Sequence, residues 1–200
     1  MNASRQKILN AVLKSQPAFV PLPELLVHPQ AETNLVSQFT TVLEGIGGSV
    51  YTVRNMDDIR AIVNEKFDRQ QRIATVLTEA AGMAELVTIT QEPHSYQDVE
   101  LMIMRAAFAV AENGAVWITE ALMQQRILPF ICQHLAVIVQ EADIVATMQH
   151  AYERIGAAQY GFGSFISGPS KTADIEQALV LGAHGPRTMT VFLLQQATHN

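Results

Sequence analysis

Apolar residues along the chain come in short clusters whose spacing alternates between the helical and the extended period. Ile8, Leu9, Val12 and Leu13 recur at helical intervals and predict an amphipathic helix near the N-terminus. Pro17, Pro21, Pro23 and Pro29 punctuate the stretch that follows, which divides an N-terminal helical arm and connector, residues 1–30, from a main domain over residues 31–200. Leu35, Phe39, Val42 and Leu43 repeat the helical pattern across residues 31–43, Gly45-Ile46-Gly47-Gly48 turns the chain, and residues 49–53 read as a strand. Asp57-Asp58 opens the next helix, where the dipole favours negative charge, and Ile59, Ile62, Val63 and Phe67 line it. Residues 73–77 and 86–90 read as strands, residues 93–95 break the pattern, and the mostly apolar run 99–110 reads as a helix. Glu112-Asn113-Gly114 is a tight turn ahead of a buried strand at residues 115–119. Residues 122–130 follow as helix or loop, residues 135–139 as a strand and residues 144–152 as a helix.

The last forty residues carry the densest signals. Residues 163–167 suit a short strand, and Gly168-Pro169 breaks it. Ser170-Lys171-Thr172 then precedes an apolar run that reads as a helix, which Ser170 or Thr172 can cap and which holds Asp174 in its first turn. Free amides at such a helix start attract anions. Gly182 ends that helix, His184-Gly185-Pro186 makes a second turn, and residues 188–194 form a β-branched and apolar strand. Alternating helices and short apolar strands call for an α/β fold, a largely parallel sheet sandwiched by helices.

Composition narrows the partners. With 48% hydrophobic residues in 200, the chain can bury a substantial core. Thirteen basic against 19 acidic residues give a net charge of -6, which argues against a nucleic-acid surface or an anionic membrane as partner. The N-terminal stretch has no continuous apolar core, so neither a signal peptide nor a membrane span is expected, and the expected location is cytoplasmic. Cys132 is the single cysteine, which excludes an internal disulfide and any cysteine-ligated cluster held by this chain alone. No cofactor held by this chain alone is expected, and the spacing of His28, His94, His134, His150, His184 and His199 indicates no metal site.

Several motifs resolve by order and spacing. Gly45-Ile46-Gly47-Gly48 follows a helix and precedes a strand, the reverse of a dinucleotide-binding fingerprint. Lys171-Thr172 lacks the glycine that a phosphate-binding P-loop places before its lysine. What remains is a polar group, Ser170, Lys171, Thr172 and Asp174, suited either to capping a helix or to holding a small carboxylate or phosphate. His184, in a glycine-flanked turn, can transfer a proton or donate to an anion, or simply be solvated. Glu112 can serve as a general base or pair with Arg126; Arg126 and His134 can instead bind a substrate carboxylate. One cleft at the strand ends, gathering the 170–176 turn, His184 and Glu112, is expected from the way α/β sheets place ligands.

Ser170, Thr172-Ala173-Asp174-Ile175-Glu176 and Gly182-Ala183-His184-Gly185-Pro186 together resemble the LUD domain, most closely the lactate-utilisation protein C family. Ala111-Glu112-Asn113-Gly114 before a hydrophobic strand is a second match, and Arg126 with Leu128-Pro129 and His134 a third. Family members often carry Thr in place of Asn113, and Gly-x-Thr where this chain reads Ile103-Met104-Arg105. The resemblance implies the fold shared by glucosamine-6-phosphate deaminase, ribose-5-phosphate isomerase and CoA transferases. It also implies a component of an L-lactate utilisation system that supports oxidation of lactate to pyruvate together with iron-sulfur partner proteins. An independent enzyme of that fold acting on a small anion, with Glu112 or His184 as acid or base, and a non-catalytic ligand sensor are the alternatives.

Overall fold

A computed structural model describes residues 3–21, 34–68, 70–87, 92–175 and 178–195. The chain opens with helix α1 (Ala3–Lys14), whose apolar residues Ile8, Leu9, Val12 and Leu13 are all exposed. Helix α2 (Leu35–Gly45) begins at Asn34, whose side chain accepts from the Ser37 amide at 3.1 Å. Strand β1 (Ser49–Val53) and helix α3 (Met56–Lys66) follow, the latter capped by Asn55 accepting from the amides of Asp57 and Asp58. The next strands are β2 (Ile73–Thr75) and β3 (Glu85–Leu86); residues 88–90 of the predicted strand lie outside the described residues.

The apolar run 99–110 is two strands, not a helix: β4 (Leu101–Arg105) and β5 (Phe108–Val110). Leu101, Met102, Ile103 and Met104 are all buried because β4 lies inside a parallel sheet, and a strand covered on both faces reads as an unbroken apolar run. β6 (Ala115–Thr119) pairs antiparallel with β5 across the 111–114 turn, where Gly114 takes φ +67°. Two short helices, α4 (Glu120–Met123) and α5 (Leu128–Ile131), lead to β7 (His134–Gln140). The predicted helix at 144–152 starts late. β-Branched Ile144 and Val145 form strand β8 (Ile144–Val145) beside β5, and helix α6 (Met148–Ile155) begins after Thr147.

β9 (Gly163–Ile166) is as expected, whereas the helix expected after Ser170 is replaced by a hairpin of β10 (Lys171–Ile175) and β11 (Ala178–Leu181). The hairpin is antiparallel, pairing Lys171 with Leu181, Thr172 with Val180 and Ile175 with Ala178. The segment from Lys171 to Leu181 is too short to hold a helix on propensity alone, and β-branched Thr172, Ile175 and Val180 favour the ladder. β12 (Thr188–Leu194) closes the fold.

Six strands form one wholly parallel sheet in the order β1-β12-β7-β4-β2-β3. A smaller sheet, in the order β8-β5-β6-β9, packs on one of its faces. Alternation along each strand assigns the faces. Leu135, Val137 and Val139 of β7 join Met102 and Met104 of β4 and Met189, Val191 and Leu193 of β12 in the core toward the small sheet, α2, α4 and α5. Ala136, Ile138, Leu101, Ile103 and Phe192 face the other way, onto Ile59 and Val63 of α3. The small sheet turns Val116 and Ile118 inward and Phe108, Val110, Ala115 and Trp117 outward, where Ala151 of α6 covers them. Each fully buried Leu, Val, Ile or Phe stabilises this stack by about 1.5–3 kcal/mol. No helix among the described residues is long and apolar enough to cross a membrane.

Candidate functional site

The β10-β11 hairpin sits at the amino ends of the central strands. The Ser170 amide donates to the carbonyl of Pro186 at 2.9 Å, the Gly182 amide to that of Ser170 at 3.0 Å, and the Arg187 amide to that of Gln133, just before β7, at 2.8 Å. These bonds use the amide that a helix start would have left free, so the anion-attracting helix terminus expected at Ser170 does not exist. Gly182 takes φ +78°, and a Cβ there would fall 2.4 Å from Cγ of Arg187. Gly185 lies so close to Ser170 that a Cβ would meet the serine Cβ at 3.1 Å. Between these two glycines His184 is exposed on a tight bend. Lys171 is also exposed, its ammonium 3.8 Å from where a Cβ of Gly47 would stand, in the turn before β1. Ser170 and Thr172 are half-buried beside it; Asp174 lies in β10, and Glu176 lies outside the described residues.

The 111–114 turn adjoins this rim through one bond: the Ser167 hydroxyl donates to the Asn113 carbonyl at 2.6 Å. The Glu112 carboxylate, however, accepts from the amide of Met148 at 2.7 Å, where it caps α6. The expected single cleft does not form: the Ser170 and His184 loops adjoin, but the Glu112 side chain points to another element. The rim also lies at the amino ends of the strands, not at the carboxyl ends where α/β ligand crevices form.

Arg126 does not pair with Glu112. Its Nε and Nη2 bind the two oxygens of Glu120 at 2.6 and 3.0 Å, and its guanidinium lies 5.3 Å from the Phe162 ring centre. Hydrogen bonding to Glu120 raises the Arg126 pKa, and the reciprocal bond lowers that of Glu120. His134 begins β7 at the same rim, with Nδ1 2.7 Å from the Thr188 hydroxyl, Nε2 3.3 Å from Glu100, and Phe67 edge-on to its ring. Arg126 and His134 are thus held by separate partners. Cys132 is buried, and desolvation pushes its thiol up to about 12. Among the described residues no group of three or more His, Cys, Asp or Glu is placed to hold a metal ion.

An open depression of about 670 Å³ lies at the opposite edge, outside the carboxyl ends of β1, β7 and β12, lined by Arg54, Asn55, Gln140, Asp143 and Gln195 among others. None of these drew notice in the sequence. The signal was nonetheless present, since Arg54, Gln140 and Gln195 each close or directly follow a strand of a parallel sheet. Chemically, the amino rim offers an exposed lysine, an exposed imidazole and two hydroxyls for charge-assisted bonds to an anionic group. It does so on an open surface, which fits contact with a partner better than enclosure of a reacting molecule.

Residues 93–194, about half of the chain, match the LUD domain. Lactate utilization protein C of Bacillus pumilus is 34% identical over 93 residues, which cover 44% of this chain and 38% of that protein. Its namesake from Geobacillus thermodenitrificans is 28% identical over 134 residues, 64% of this chain and 53% of that protein, so the chain spans about half the length of these relatives or less. The Deinococcus radiodurans protein of the same name is 25% identical over 200 residues, covering 94% of this chain and 92% of that protein. Among solved structures, a DUF162 family protein from Deinococcus radiodurans superposes with a TM-score of 0.64 at 18% identity, over 83% of this chain and 99% of that one. That likeness establishes the fold.

Proposed function

The chain belongs to the LUD domain family, and from that premise we propose that it is a component of an L-lactate utilisation system, supporting oxidation of lactate to pyruvate together with iron-sulfur partner proteins. The carrying observation is that the matched region contains the Ser170 to Gly185 rim, whose Lys171 and His184 face solvent. Oxidising lactate removes two electrons. This chain has one cysteine, buried and with its thiol pKa raised, and so brings no four-thiolate set of its own. In this reading cysteine-rich partners carry the electrons, and Ser170, Lys171, Thr172 and His184 form the surface that meets an anionic group of a partner or of the substrate. Pyruvate formation from L-lactate, followed with the cysteine-rich partners and an electron acceptor, tests the assignment. Turnover should require both this chain and the partners; full turnover by the partners alone would reject it.

A further inference from the structure

A second open cavity, of about 700 Å³, lies between α3 and the chain that enters β3, beside the amino end of β2. All of its lining residues fall between Arg60 and Glu85, ahead of the region that matches the LUD domain, and none belongs to the motif rim. Its volume suits a small organic molecule, since ligand pockets commonly span about 300–1,000 Å³. Arg60 and Arg72 against Glu85 give the lining one net positive charge, in a chain whose net charge is -6.

The two arginines stand differently. Arg72 is fully engaged: Nε and Nη2 donate to the two Glu85 oxygens, both at 2.9 Å, and Nη1 donates to the Ser95 carbonyl at 2.7 Å and to Asp98. Arg60 is anchored at one nitrogen only. Its Nη1 donates to Asp57 at 2.7 Å, whereas Nε is buried and has no hydrogen-bond partner among the described residues. Nε and Nη2 form one edge of the guanidinium plane, and Arg54, Arg72 and Arg126 each offer that edge to a carboxylate at 2.6–3.0 Å. In Arg60 no described residue accepts from it. A buried donor left unpaired costs free energy, so this edge gains from an acceptor brought from outside the chain. Its Nη2 end faces Gly82, where a Cβ would stand 3.4 Å away. Neutral donors share the cavity. Asn64 lies one helical turn beyond Arg60 on α3, and Gln71, whose side-chain oxygen accepts from the Asp68 amide at 2.8 Å, keeps its NH2 group for a further bond.

We propose that this cavity binds a phosphate monoester of a small organic molecule. Two phosphate oxygens take the Nε and Nη2 edge of Arg60, Asn64 and Gln71 donate to the third, and the organic part rests on Phe67, Ile73 and Met83. A carboxylate has only two oxygens and would leave the amide donors without an acceptor. Ala81 and Gly82 form an exposed turn against the edge, and uptake moves that turn off Nε. The site stands apart from the lactate reading.

Isothermal titration of the full chain without partners, using phenyl phosphate, inorganic phosphate and acetate as probes, tests the proposal. Phenyl phosphate should bind at one site and more tightly than inorganic phosphate, and acetate more weakly than either. Arg60→Lys keeps the charge but removes the edge, and should weaken phenyl phosphate binding about ten-fold. Gly82→Val leaves Arg60 in place and sets a side chain against Nη2, so it should cause a similar loss in a chain that keeps its native circular dichroism. Lys171→Ala should leave phenyl phosphate affinity as it is in the native chain. Absence of saturable phosphate binding by the native chain, or native affinity in a folded Arg60→Lys, would overturn the site. So would acetate binding as tight as that of phenyl phosphate, and a loss of binding in Lys171→Ala would place the anion at the motif rim instead.

Discussion

Replacing Gly182 by alanine isolates the geometry of the motif rim. At φ +78° a non-glycine residue costs about 1–2 kcal/mol, and the new Cβ would stand 2.4 Å from Arg187 Cγ and 3.3 Å from Arg187 Cα. The side chain of Arg187 can swing away, but its backbone is tied to Gln133 and cannot move without disturbing the start of β12. Restricting the unfolded chain returns about 0.4–1 kcal/mol, which the close contacts with Arg187 offset, so the net destabilisation is about 1–2 kcal/mol. For a domain of this size that lowers the melting temperature by roughly 2–8 °C. Urea denaturation followed by circular dichroism should show a lower midpoint at unchanged slope. Gly45→Ala is the matched control: Gly45 ends α2 with nothing within 4 Å of its would-be Cβ, so that variant should gain up to about 1 kcal/mol. If Gly182→Ala unfolds at the native midpoint while Gly45→Ala behaves as expected, the hairpin is not held as described.

Three further outcomes are expected. Cys132 should resist a disulfide reagent at pH 8 until the protein is unfolded, and immediate stoichiometric labelling would contradict its burial. Because its folded pKa is raised from 9.0 to about 12, its contribution to stability should be complete below pH 9 and fade as pH rises toward 12, a loss that Cys132→Ala removes from the alkaline denaturation profile. Glu112→Ala should cost about 0.5–2 kcal/mol of stability through the lost bond to the Met148 amide and leave partner-dependent turnover close to native; turnover lost at native stability would instead make Glu112 a reacting group.

The strands with clear boundaries were legible from the chain alone. β12 and β6 fall where β-branched and apolar runs end at glycine or polar residues, and the largely parallel sheet followed from alternation. β4 and β5 were hidden because a strand buried on both faces has no period; only the Ala106-Ala107 step marks the passage from the large sheet to the small one. The small sheet itself was illegible: β5 and β6 are joined by a local turn, but β5 was hidden in the apolar run, and the pairings of β6 with β9 and of β5 with β8 span long separations that no local pattern encodes. The hairpin after Ser170 was misread because Lys171 to Leu181 suits either period, and what decides it is the backbone bonding of Ser170 to Pro186 and Gly182. Polar candidates fared by contact range. Glu112, Arg126 and His134 each direct their polar atoms to Met148, Glu120, or Glu100 and Thr188, partners that only tertiary structure reveals.

Amide hydrogen exchange of this chain, alone and mixed with its cysteine-rich partners, tests most directly whether the rim is the surface through which it acts. Ala183 and His184 are exposed on the bend, ahead of half-buried Gly185, and their amides should exchange rapidly in the isolated protein. On mixing, exchange at these positions and at Lys171 and Thr172 should slow, while the α3 face of the large sheet stays unchanged. Unchanged exchange across residues 170–187 in a mixture that oxidises lactate would contradict the account.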